Sequence, residues 1–181
     1  MRWLAPLAAA LVLGAITPVW AGSVNDVDNV TVTVNSTLSI TDPTGDFTLA
    51  FNQTTGTANG VISTPQTVVY TVNANNMPNT ALAGTVSARL NAALGGMDIK
   101  GSIGPYVNKG SAGSATLNPS AAVPITIGTT AVNLMDKPAT TGAAGKVLNG
   151  DFGVSYTATA TRDLAANDGG TVTLTVTLKD A

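Results

Sequence analysis

The residue types that carry most enzyme chemistry are missing from this chain. Its 181 residues include no Cys and no His, and all ten of its acids are Asp. That excludes Ser-His-Asp and Cys-His triads, Cys/His zinc sites, haem and iron–sulfur ligation and Glu acid/base pairs. Asp151-Phe152-Gly153 spells the magnesium-binding triplet of protein kinases. It lacks the glycine-rich phosphate loop, the His-Arg-Asp element and the Glu partner that the chemistry requires, so Phe152 reads as the first inward residue of a strand after an Asn149-Gly150 turn. No Asp-Thr-Gly or Asp-Ser-Gly is present, and no Ser is followed by Lys three positions later. Calcium asks only for hard oxygen ligands. Asn25-Asp26-Val27-Asp28-Asn29 is the best such cluster, with Asp163 and Asn167-Asp168 second. Neither has EF-hand spacing, and both read as caps of strands and turns. The expectation is a protein that is not an enzyme, with no catalytic, metal or cofactor-binding residue.

Composition points to the elements that such residues decorate. Only 10% of the chain is charged, whereas Thr (28), Asn (15) and Gly (19) are abundant, as in a β-rich extracellular protein. Arg2 precedes an apolar run from Leu4 to Ile16 that ends in Val19-Trp20-Ala21, which reads as a signal peptide over residues 1–21 cleaved after Ala21. The run is interrupted by Pro6 and Pro18 and is short for a membrane span of about 20 residues. The remainder, residues 22–181, is expected to be one secreted, cell-surface or periplasmic domain without stable membrane insertion. Removing Arg2 leaves seven basic residues against ten Asp, a net charge of −3, with no electrostatic footprint for nucleic acid.

Period-two alternation is the dominant pattern. Val172, Leu174, Val176 and Leu178 alternate with Thr171, Thr173, Thr175 and Thr177, predicting the C-terminal strand of the core. Phe152, Val154, Tyr156, Ala158 and Ala160 form the preceding strand, and the Asn167-Asp168-Gly169-Gly170 turn signal predicts that the two pair as a hairpin. Near the other end, Val30, Val32, Val34, Leu38 and Ile40 share one parity. Asp42-Pro43-Thr44-Gly45 closes that strand, and Phe47, Leu49 and Phe51 open another. Further strands are expected around Val68–Val72, Ala83–Leu90, Met97–Ile103, Val123–Ile127 and Ala131–Leu134. The fold class is all-β: a single immunoglobulin-like antiparallel β-sandwich of about seven to ten strands.

The pair of patterns Val154-Ser155-Tyr156-Thr157-Ala158-Thr159-Ala160 and Gly169-Gly170-Thr171-Val172-Thr173-Leu174-Thr175-Val176-Thr177-Leu178, together with the early Val/Thr strand and the signal peptide, resembles secreted pilin-type sandwiches. The spore-coat-U-like and chaperone–usher pilin families are similar, although many of their subunits carry a cysteine pair that this chain lacks. The resemblance implies a structural subunit of a fibre, coat or matrix, a homo-oligomer or polymer that assembles by exchange of an N-terminal strand. Val30, Val32, Val34, Leu38 and Ile40 would be the inserted side chains of that assembly strand. The same residues could instead pair within their own sandwich. The other reading is a secreted carbohydrate- or ligand-binding module, for which Tyr106, in Gly104-Pro105-Tyr106, is the loop aromatic on offer.

Overall fold

Alternation gives each strand an apolar and a polar face, and the apolar faces of two sheets bury each other. The computed structural model describes residues 38–52, 57–165 and 168–180. Among them are nine strands: β1 (Leu38–Thr41), β2 (Gln66–Ala74), β3 (Gly84–Leu90), β4 (Met97–Asn108), β5 (Asn118–Pro119), β6 (Ile125–Ile127), β7 (Val132–Asp136), β8 (Leu148–Ala160) and β9 (Leu174–Asp180). They form an antiparallel sandwich with one sheet in the order β1-β2-β8-β4-β6 and the other in the order β5-β7-β3-β9. The expected all-β sandwich is therefore the fold. The signal-peptide segment and Val30, Val32 and Val34 lie outside the described residues.

β8 is the spine. Every second residue along its 13 positions is buried, and both of its edges are taken, by β2 and by β4. That occupancy corrects the expected C-terminal hairpin. β9 finds no vacant edge on β8, so the chain crosses to the second sheet and β9 pairs with β3, Leu90 opposite Leu174 and Gly84 opposite Asp180. A second correction concerns Asn149-Gly150, which is no turn: both lie inside β8, paired with Asn73 and Val72. Gly is needed there because the Tyr106 ring and the Val107 carbonyl oxygen press on the position where a Cβ would sit. Tyr106 itself belongs to β4 and packs against the core. Burial pushes its phenol up to about 12. It is a half-buried strand residue and not the loop aromatic expected from Gly104-Pro105-Tyr106.

The third correction is the strand expected at Phe47–Phe51. Its parity survives, since Phe47, Leu49 and Phe51 turn inward and Thr48 and Ala50 outward, but it forms no ladder. The β1–β2 register stops at Thr41 opposite Thr71. The Asp42 carboxylate then accepts the Thr44 N–H at 2.7 Å, and Gly45 takes φ +72°, swinging the chain off the β2 edge. Phe47 instead stacks on Tyr156 with centroids 5.2 Å apart.

One end of the sandwich, here the upper end, is where β3 finishes at Leu90 opposite Leu174 and where Met97 pairs with Ala160. The lower end holds the Ala74–Leu148 and Gly84–Asp180 pairs. It also holds the loops 75–83 and 137–147, joined by the Met77 N–H to Lys146 and the Thr140 N–H to Asn79. β1 enters at the lower end, with Leu38 opposite Ala74, and climbs; β9 descends from Leu174.

At the lower end lies Lys137, fully buried. Its ammonium donates to the Thr140 hydroxyl at 2.9 Å and the Pro138 carbonyl at 3.3 Å. Burial pushes its pKa down. A lysine whose folded pKa is lowered binds fewer protons folded than unfolded, so stability should rise with pH from that lowered value to the free-lysine value of about 10.4. Lys137→Met keeps the volume and removes the charge. It should raise stability at neutral pH by about 1 kcal/mol or more and flatten the alkaline rise, as read by urea melts at pH 7 and pH 10.

Candidate functional site: an open edge and its groove

Edges decide what a sandwich can bind. β5 has two residues and ends in Pro119, and β6 has three, so both are too short to template another strand. β9 differs. It has seven residues without Pro, and among the described residues it pairs only with β3, leaving its other row of backbone donors and acceptors open. Thr175 and Thr177 face solvent, while Leu174 and Val176 are half-buried and Leu178 is buried. Val172 precedes the strand proper and is also half-buried. Thr173 is held to Asn91, whose side chain accepts the Thr173 N–H at 2.8 Å and whose own N–H donates to the Thr173 carbonyl at 3.0 Å.

Beside this edge the two sheets part. The cavity between them has a volume of about 830 Å³. Val172, Leu174 and Val176 form one wall, and Phe47, Leu49 and Phe51 the other. Leu94, Met97 and Ala158 lie beneath. Beside it β1 ends at Thr41 and the segment that follows makes no ladder among the described residues. Beyond Thr41 the described residues thus leave the seam between β1 and β9 unsealed. The charged residues along it are Asp42 and Asp46.

The floor is rigid. Tyr70 and Phe152 stack at 5.4 Å, and the Tyr70 and Tyr156 hydroxyls share a hydrogen bond of 2.9 Å. Burial pushes both phenols up, and the Tyr70–Tyr156 bond opposes the shift at Tyr70 and adds to it at Tyr156. Neither phenol is an acid near neutral pH, so the pair serves as a buried polar tie.

The other residues singled out in the sequence are spread over the molecule. Asp151 sits on the outer side of β8, bonded to Lys109 and, at 2.9 Å, to the Thr71 hydroxyl. The Lys109 bond first and the Thr71 bond second hold its carboxyl below the usual range. Phe152 points the other way, into the core. Asp163 accepts the Asn59 N–H at 2.9 Å. Asp168 accepts the Ala165 N–H at 2.9 Å and an Arg162 N–H at 3.0 Å. Among the described residues no group of three or more Asp side chains is placed to hold a metal ion, and Asn25–Asn29 and Asn167 lie outside them. Nor is any helix among them long and apolar enough to cross a membrane.

Of the expected assembly strand, Leu38 and Ile40 are described, and both are committed at home: Leu38 pairs with Ala74 and Ile40 with Val72. Of the expected C-terminal core strand, Leu174, Val176 and Leu178 lie in β9 and Val172 just before it. Sequence reasoning did not find Phe47, Leu49 and Phe51 as a groove wall, or Leu94 and Met97 beneath it. The signal was present in their shared parity, but what they face depends on where β9 goes. No family model, curated protein or solved structure matches the chain.

Proposed function

We propose that this chain is a structural subunit of an extracellular or cell-surface filament, coat or matrix, and that it assembles by adding an extended strand of one copy to the β9 edge of the next. The observation that carries this reading is the seven-residue edge of β9, unpaired on one side among the described residues, beside an apolar groove, a template for strand addition: backbone bonds give affinity and alternate side chains fill the groove. Within the chain, Val30-Thr31-Val32-Thr33-Val34 has the matching pattern, three apolar residues at alternate positions with Thr between. Because Leu38 and Ile40 stay paired with β2, the inserted set narrows from five residues to Val30, Val32 and Val34.

Topology favours a neighbour's groove over the chain's own. β1 begins at the lower end and runs opposite to β9. A segment folding back just before β1 would run antiparallel to it and hence parallel to β9. The antiparallel pairing, slightly the more stable per residue, is reached from a second copy.

Deleting residues 22–37 tests the proposal while leaving every described strand intact. The expected product is a folded monomer that forms no polymers by sedimentation and negative-stain microscopy, whereas the parent chain, processed or not, forms them. Polymers that persist, or a subunit that unfolds, would refute it.

A second reading, a secreted module for an apolar ligand, is favoured by the cavity volume of about 830 Å³, which is within the range of small-molecule pockets. It predicts that the monomeric deletion variant binds an apolar fluorescent probe in the groove and that the parent chain remains a monomer.

A further inference from the structure

The side chains that peroxides oxidise most readily are those of Cys and Met. This chain has no Cys, and its four methionines are Met1, Met77, Met97 and Met135. A thioether must meet the oxidant, so burial decides which sulfur reacts. Met77 is 1% exposed and Met135 is 0% exposed. The Met77 methyl also fills the space that a Cβ on Gly84 would take, and Met135 sits in β7 opposite Val86. Neither sulfur meets solvent while the chain is folded. Met97 differs. It opens β4 opposite Ala160, is half-buried and lines the cavity of about 830 Å³ beside β9.

We infer that Met97 is an oxidation site that governs the groove: a peroxide converts it to the sulfoxide, and the groove then rejects an inserted strand. The inference rests on the strand-addition reading above and adds a regulation of the same site. In the step, a lone pair on Met97 Sδ takes one oxygen of hydrogen peroxide and the O–O bond breaks. The leaving hydroxide collects the proton carried by the transferred oxygen, so the products are the sulfoxide and one water. The sulfur loses two electrons and the peroxide gains them.

The thioether is a weak acceptor, whereas the sulfoxide is polar. Leu94 and Ala158 lie beneath the groove with Met97, and their side chains carry no donor. In the isolated subunit, water entering the cavity bonds the new oxygen. A strand seated between Phe47–Phe51 and Val172–Val176 removes that water and leaves the oxygen unpaired against the valines of the insert, which costs binding energy. The converse also holds, because a seated strand covers the sulfur and keeps peroxide away from it. Free subunits are thus the sensitive form and assembled ones the shielded form.

The test treats the full chain with dilute hydrogen peroxide and follows the same samples by peptide mass mapping and sedimentation. In the free subunit Met97 should gain one oxygen about tenfold or more faster than Met77 and Met135, and it should react more slowly once polymers have formed. The chain oxidised at Met97 should assemble about tenfold or more weakly. Met97→Leu nearly conserves volume, so it should assemble like the parent both before and after peroxide. Reducing the sulfoxide with a methionine sulfoxide reductase should restore assembly, which checks the same point without a substitution. Met77 or Met135 reacting as fast as Met97 would overturn the inference, as would polymers that do not return on reduction or a Met97→Leu chain that loses them to peroxide. Undiminished assembly of the oxidised chain, with polymers still lost on deleting 22–37, would overturn it and leave strand addition standing. A parent chain that forms no polymers before any treatment would overturn both.

Discussion

Val176→Asp should leave a folded subunit that no longer assembles. Val176 lies on the groove side of β9, half-buried, between the solvent-facing Thr175 and Thr177. In the isolated subunit a carboxylate there can reach water through the open seam, so its cost to folding is about 1–2 kcal/mol. Once a strand closes the groove the same carboxylate is desolvated without a basic partner, because the charged residues lining the cavity are Asp42 and Asp46. The effective penalty for such a burial is several kcal/mol, which weakens association by more than about 100-fold. Thr175→Asp is the matched control, since it adds the same charge on the outer face and should leave assembly nearly intact. Sedimentation of both variants, with circular dichroism to confirm the fold, reads the difference. Polymers from the Val176 variant at the parent's concentration would show that the β9 groove is not the docking site.

Phe152→Ala carries the largest expected cost to stability. Phe152 is 1% exposed and stacks on Tyr70. Tyr70 is tied through its hydroxyl to Tyr156, and Tyr156 stacks on Phe47 in the groove wall. Removing the ring deletes buried apolar surface and opens a cavity among stacked, hydrogen-bonded aromatics. Core Phe→Ala changes of this kind cost about 3–5 kcal/mol, or roughly 6–20 °C in Tm for a domain of this size. Because the stack supports Phe47, the groove wall should loosen as well, and assembly should weaken beyond what the unfolded fraction accounts for. A urea midpoint shift equivalent to less than about 1 kcal/mol would contradict this account of the packing. Tyr156→Phe is a milder probe of the same stack: it keeps the ring and removes only the hydroxyl that pairs with Tyr70.

The pattern most legible in the chain was two-faced strands. Val68, Tyr70 and Val72 in β2, Val86 and Ala88 in β3 and the alternating residues from Phe152 to Ala160 in β8 are buried as their parity required. Side-chain direction in a strand follows from the backbone alone, so it can be read without knowing the neighbours. Pairing cannot be read that way. The Asn167-to-Gly170 signal and two adjoining alternating runs described a hairpin equally well as a crossover, and the choice fell to the crossover because β2 and β4 occupy both edges of β8. Asn149-Gly150 looked like a turn because glycine permits one; in the folded chain it is a strand position crowded by Tyr106, a residue more than forty positions away.

By itself, then, the amino-acid sequence determined the all-β class, the inward and outward faces of the principal strands, and a stock of side chains without His, Cys or Glu. These are local properties, written in residue type and period two. Only the tertiary structure decided that β9 would pair with β3 alone among the described residues, that Leu38 and Ile40 would pair at home, and that Phe47 to Phe51 would line one cavity with Val172 to Val176. Those outcomes depend on which edges were already filled when distant segments met, a competition among long-range contacts that no local pattern encodes.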